Sequence, residues 1–134
     1  MVDEIEPAKV LLVEDKQTIA ATLQKIFTLA GYDCRSFVSA EEFLKQEDCV
    51  WTPDFALIDV ILPGINGLEL AVCLRHSDQD LKVALFSGHT ETNRIVERAE
   101  GMGHHFDVFA KPVHPSVLLE FADKSVPKAT RGCL

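Results

Sequence analysis

Apolar positions along this chain alternate between two rhythms. Lys9 to Val13 (KVLLV) is a continuous apolar run bounded by Pro7 and by acids, the pattern of a strand buried on both faces. From Lys16 to Ala30 the spacing becomes helical: Ile19, Leu23, Ile26, Phe27 and Ala30 share one face, and Lys16, Gln17, Gln24 and Lys25 take the other. Gly31 supplies the stop. Tyr32 to Val38 predicts a weaker second strand, placed at a sheet edge by Asp33 and Arg35. Ser39 followed by Glu42 is a capping-box pattern opening a short helix through Phe43 and Leu44. Within the run Asp54 to Ile61, the core Phe55-Ala56-Leu57-Ile58 reads as a buried central strand with Asp59 at its end. A turn from Leu62 to Gly67 leads to a helix that buries Leu68, Leu70, Ala71 and Leu74. Lys82 to Phe86 is a fourth strand, broken by Ser87-Gly88-His89. A polar helix follows from Glu91 to Glu100, with Ile95, Val96 and Ala99 as its apolar stripe. Beyond the Gly101-Met102-Gly103 turn, Asp107 to Ala110 forms a fifth strand ending at Lys111-Pro112. A last helix starts near Pro115 and Ser116 and buries Val117, Leu118 and Phe121; residues 126–134 have no periodicity.

Strands alternating with helices specify an α/β fold with a parallel sheet covered on both faces. Right-handed crossovers leave few arrangements. The flavodoxin-like, doubly wound order 2-1-3-4-5 places the first and third strands side by side with a ligand crevice at their C-terminal ends. In that order Glu14, Asp15 and Asp59 converge, and Ser87 and Lys111 lie on the same edge.

Composition narrows the setting. A chain of 134 residues, 47% hydrophobic and 25% charged, suits one domain with a real core. Its net charge of -8 and pI near 5.0 argue against sequence-independent nucleic-acid binding, which needs a basic footprint. No segment is apolar for long enough to cross a bilayer, and Met1 to Pro7 carries Asp3, Glu4 and Glu6 rather than a secretory pattern, so a cytoplasmic location is expected. Cys34, Cys49, Cys73 and Cys133 show no zinc spacing and are expected to be reduced, structural thiols. Cys133 stands second from the end of the sequence, so no prenylation box is expected. His89, His104 and His105 have no companion ligands at zinc spacing and read as solvated loop residues. Phe106 and Phe109 read as core.

Three carboxylates in one crevice repel one another unless a proton or a cation intervenes. Hard oxygen ligands in a loop-lined site suit Mg²⁺. A metal there neutralises a phosphoryl group while a carboxylate attacks it to give an acyl phosphate. Lys111 supplies a point charge for a phosphate oxygen, and Ser87 a hydrogen-bond donor. Such catalysis is mostly positioning and charge neutralisation.

With those residues in place, the chain resembles the receiver domain of two-component response regulators over residues 8–125, leaving 1–7 as an N-terminal extension and 126–134 as a tail or linker stump. The matching motifs are Glu14-Asp15, the segment PDFALIDVILPGING from Pro53 to Gly67, the strand end at Ser87, and Lys111-Pro112. The resemblance implies that Asp59 accepts a phosphoryl group from a sensor histidine kinase or histidine phosphotransfer protein. It further implies that Glu14, Asp15, Asp59 and the backbone carbonyl of Ile61 hold Mg²⁺. Ser87 would bond the phosphoryl group and move toward it, Lys111 would pair with it, and the bond to Pro112 would be cis. The chain would be a signalling switch rather than an enzyme, altering partner binding or self-association through the face of its fourth helix, fifth strand and fifth helix.

Departures from the family pattern accompany the match. Where a switch aromatic is usual, three residues before the lysine, this chain has Val108, with Phe106 as the candidate substitute. Gly88 replaces a usual alanine. Ile61 and His89 occupy positions that influence how water reaches the acyl phosphate, and because isoleucine cannot orient water, slow self-dephosphorylation is expected. Two other functions stay open at this point: a receiver-like adaptor that works without phosphorylation, and a Mg²⁺-dependent phosphatase with an aspartate nucleophile. Enzymes of the haloacid dehalogenase type carry a second Asp two residues after the nucleophile, where this chain has Ile61.

Overall fold

The computed structural model describes residues 7–46 and 51–125. Residues 1–6 of the expected extension at 1–7, the tail at 126–134, Cys49 and Cys133 lie outside the described residues. Five parallel strands, β1 (Lys9–Val13), β2 (Asp33–Phe37), β3 (Phe55–Asp59), β4 (Lys82–Ser87) and β5 (Asp107–Ala110), lie in the order β2-β1-β3-β4-β5. Helices α1 (Gln17–Leu29), α2 (Ala40–Lys45), α3 (Gly67–Ser77), α4 (Thr92–Gly101) and α5 (Pro115–Ser125) cover both faces. This is the doubly wound fold that the alternation of elements specifies.

Side-chain alternation divides the core in two. Val10 and Leu12, Phe55 and Leu57, and Ala84 and Phe86 point to one face, where Ala20, Leu23 and Phe27 of α1 and Leu118 and Ala122 of α5 cover them. Leu11 and Val13, Ala56 and Ile58, and Val83 and Leu85 point to the other, beneath Ala40 of α2, Leu68, Leu70 and Ala71 of α3, and Ala99 of α4. The central strands need apolar residues at every position because both of their faces are covered.

The helices end by local chemistry. Ser39 caps α2 by accepting from the Glu42 amide at 3.1 Å. Asn66 and Glu69 close a reciprocal capping box at α3, with bonds of 2.8 and 3.1 Å. The polar residues of edge strand β2 are used rather than merely tolerated: Trp51 donates its indole N–H to Asp33 at 3.1 Å, and the Arg35 guanidinium lies 4.5 Å from the centre of the same ring. A loop residue thus covers the strand edge.

Some expected core positions face outward. Ile19 is 41% exposed and Val117 is 40% exposed, and Ala30 is also exposed. Ile19 sits in the first turn of α1 and borders an open cavity between α1 and α5. On α5 the inward stripe is Leu118 and Ala122, while Phe121 is half-buried against Phe55 and Phe109. The fourth helix begins at Thr92 because a 3₁₀ turn, His89–Glu91, precedes it.

Candidate functional site

Strand order brings the five strand-end residues to one edge of the sheet. Glu14 follows β1, and its amide is fixed by the Phe37 carbonyl of the neighbouring strand at 3.0 Å. Its side chain is 1% exposed and accepts from the Lys16 amide at 3.1 Å. Burial pushes the Glu14 carboxyl up to about 7, with Asp59 raising it further and the Lys16 amide and Lys111 opposing the rise. Asp15 is exposed. Carboxylate oxygens of Glu14, Asp15 and Asp59 lie within 4.8 Å of one another.

Asp59, the last residue of β3, is 1% exposed. Its Oδ1 accepts from the Ile61 amide at 3.0 Å, and its Oδ2 receives the Lys111 ammonium at 2.6 Å. Lys111 follows β5, where its amide bonds the Ser87 carbonyl at 2.8 Å, and its bond to Pro112 is cis. The Lys111 side chain remains 32% exposed, so the ammonium joins the buried carboxylate to solvent. An apolar cavity of about 350 Å³ opens beside Glu14 and Lys111, between Ile19 and Leu23 of α1 and Leu118 of α5.

The loop after Asp59 is held by residues whose part the sequence does not announce. A Cβ on Gly67 would collide with the Asp59 carbonyl oxygen, so α3 starts closer to β3 than any other residue permits. The Gly67 amide bonds Val60 at 2.8 Å across that approach. Gly64 adopts φ +74, and beside it Glu41 of α2 accepts from the Ile65 amide at 2.8 Å. A glutamate 24 residues upstream therefore anchors the segment containing Ile61. The Ile61 side chain points outward, 70% exposed.

Ser87 ends β4 and is 2% exposed. Its Oγ donates to the Gly88 carbonyl at 3.3 Å and lies 3.3 Å from the Thr92 hydroxyl, which itself bonds Gly88 at 3.4 Å. Val108 pairs with Leu85 in register and packs into the core on the α4 side. Phe106 does not take its place. It is 3% exposed, stacks on His104, and has the Arg75 guanidinium 4.6 Å from its ring centre. It stands four residues before Ala110, the partner of Ser87, or about 13 Å along an extended chain. His104 is correspondingly half-buried in this aromatic group rather than solvated, and His76 packs edge-on against it. Cys34 is buried, and burial with Asp33 nearby pushes its thiol up to about 12, whereas Cys73 is exposed.

A doubly wound five-stranded sheet with an acidic crevice at its strand ends defines the receiver class of α/β proteins. The response regulator receiver domain model matches residues 10–123, and the chain belongs to that family. Among curated relatives, sporulation initiation phosphotransferase F of Bacillus subtilis is 30% identical over 122 residues, which cover 89% of this chain and 94% of the relative. The C4-dicarboxylate transport transcriptional regulatory protein DctD of Pseudomonas aeruginosa is 30% identical over 84% of this chain, but the match spans only 24% of that longer protein. Among solved structures, the response regulator TrrA of Thermotoga maritima, in complex with Mg²⁺ and BeF, superposes with a TM-score of 0.71 at 25% identity, covering 89% of this chain and 99% of that one. Among the described residues no helix is long and apolar enough to cross a membrane.

Proposed function

We infer that the chain is a phosphorylation-controlled switch in which Asp59 accepts a phosphoryl group from a phosphohistidine on a sensor kinase or phosphotransfer protein. The observation that carries this reading is a buried Asp59 carboxylate with one oxygen on Lys111 at 2.6 Å and two further carboxylates within 4.8 Å. Glu14, Asp15, Asp59 and the Ile61 carbonyl would hold Mg²⁺, and the donor set fits: hard oxygens, one of them on the exposed Asp15, which leaves the metal access to water. Bound there, the cation supplies charge neutralisation between the acceptor carboxylate and the incoming phosphoryl oxygens.

In the transfer, a carboxylate oxygen of Asp59 forms the new O–P bond, the P–N bond to the donor histidine breaks, and the departing imidazole nitrogen takes a proton. The Ile61 amide orients the carboxylate before attack. Lys111 exchanges its carboxylate partner for a phosphoryl oxygen, which carries more charge, and Ser87 donates its hydroxyl to another. Ile19 and the cavity behind it offer a protein donor an apolar contact beside the acceptor. The output is altered binding to a partner, or to a second copy, through the face of α4, β5 and α5.

Incubation with Mg²⁺ and acetyl phosphate, followed by intact-mass measurement, should add one phosphate that is absent from Asp59→Asn. An unmodified wild-type chain would refute the reading. Steady turnover of a small phosphate ester would instead favour the phosphatase alternative, against which the apolar Ile61 stands.

A further inference from the structure

A hydroxyl pair sits where the family resemblance leaves a gap. Val108 has no polar atom to follow Ser87, and Phe106 is held too far along the chain, so a shift of Ser87 needs another route to the surface. The side-chain hydroxyl that meets Ser87 is that of Thr92, the first residue of α4. Its Oγ1 lies 3.3 Å from Ser87 Oγ, and both hydroxyls share the Gly88 carbonyl at 3.3 and 3.4 Å. We propose that Thr92 is a positioning residue that couples Ser87 directly to α4, replacing the aromatic relay through β5; this rests on the reading of Asp59 as phosphoacceptor.

The count of protons gives the relay its direction. In the resting triangle either hydroxyl can donate to the other, and all three distances exceed the usual 2.5–3.0 Å of an O–H···O bond, so each contact is weak. An anionic phosphoryl oxygen is a stronger acceptor than the neutral Gly88 carbonyl, so the Ser87 hydroxyl turns to donate its hydrogen bond there. Ser87 Oγ can then only accept from Thr92. The Thr92 proton leaves Gly88 for Ser87, and the Thr92 side chain follows Ser87 toward the crevice. Because Thr92 is the first residue of α4, its displacement moves the N-terminal turn of that helix. The intervening turn permits the motion, since a Cβ on Gly88 would meet only the Glu91 Cγ, at 3.9 Å.

The test compares wild type, Thr92→Val and Thr92→Ser by amide NMR, before and after adding beryllofluoride and Mg²⁺. Intact-mass measurement of acetyl-phosphate-treated samples runs in parallel. Valine keeps the shape and removes the donor; serine keeps the donor. Wild type should show shifts at Ser87 and along α4. In Thr92→Val the phosphate adduct and the Ser87 shift should persist while the α4 shifts are roughly halved or smaller, and Thr92→Ser should restore them. A merely structural role would perturb the untreated spectrum and would not separate the Ser87 response from that of α4. Undiminished α4 shifts in Thr92→Val overturn the relay while leaving Asp59 as acceptor. Absence of any wild-type adduct overturns both, and the mass spectrum distinguishes the two failures.

Discussion

The crevice has two halves built to different tolerances. Around Asp59, the proposed phosphoacceptor, Glu14, Asp59 and Lys111 are fixed by contacts of 2.6 to 3.1 Å that enclose two nearly inaccessible carboxylates. On the relaying side Ser87, Gly88 and Thr92 touch only at 3.3 to 3.4 Å, and the strand beside them carries a plain valine. The first half holds charge in place before a reaction, when preorganisation is most useful. The second has bonds weak enough to exchange when a better acceptor arrives. The proposed switch needs both, because a relay as stiff as its acceptor could not respond.

The accepting half should be the less forgiving of substitution, and Gly67 is where that should show most. Gly67→Ala places a methyl group against the Asp59 carbonyl, two backbones with nowhere to go. We expect a loss of about 2 kcal/mol or more, at the upper end of ordinary overpacking, measured by urea unfolding followed through the single tryptophan, Trp51. An unmoved midpoint would mean that the strand end yields, and the contrast in stiffness would collapse.

A smaller effect separates the halves by pH. Burial raises Glu14 from 4.5 to about 7, so the folded, metal-free chain holds a proton there that the unfolded chain releases above 4.5. Its contribution to stability is therefore full below 4.5 and is lost as pH rises through about 7. If the crevice binds Mg²⁺ as proposed, the cation must displace the same proton, so its affinity should climb by up to about tenfold per pH unit below 7 and level off above it. Calorimetric Mg²⁺ titrations from about pH 6 to about pH 8 would read this, with Glu14→Gln flattening the profile at weaker affinity. A flat wild-type profile would show that the crevice is wetter than its burial implies.

What the sequence discloses follows the same division. The strand-end residues of the crevice are legible because each is a charge or hydroxyl that stops an apolar run, and parallel topology sends all such stops to one edge. Strand order and the two-faced core follow from the same runs. Ile19 misleads because helical periodicity does not show that its face borders an open cavity rather than a packed core. Glu41 and Thr92 are silent for another reason. Their partners, the Ile65 amide and the Ser87 hydroxyl, are met through loop geometry, and neither residue breaks a pattern in the chain. Histidine spacing is silent too: it gives no hint that His104 stacks on Phe106.

The smallest effect bears most directly on the relaying half. Val108 is half-buried, in register with Leu85, and packs against the core face that α4 helps to cover, so Val108→Tyr adds its ring at a partly covered site rather than in the densest part of the core. Its cost should stay within about 1 kcal/mol, the low end for added volume at a partly covered site. If Thr92 carries the signal, the new aromatic adds a second route beside an intact one, and the α4 response to beryllofluoride should hardly change in the wild-type background. In Thr92→Val the same substitution supplies what is missing and should recover part of the lost response. The two sites then couple in a double-mutant cycle although their side chains serve different strands. Equal effects of Val108→Tyr in both backgrounds would show that the hydroxyl pair and the strand act independently, and the relay would lose its claim to stand in for the aromatic.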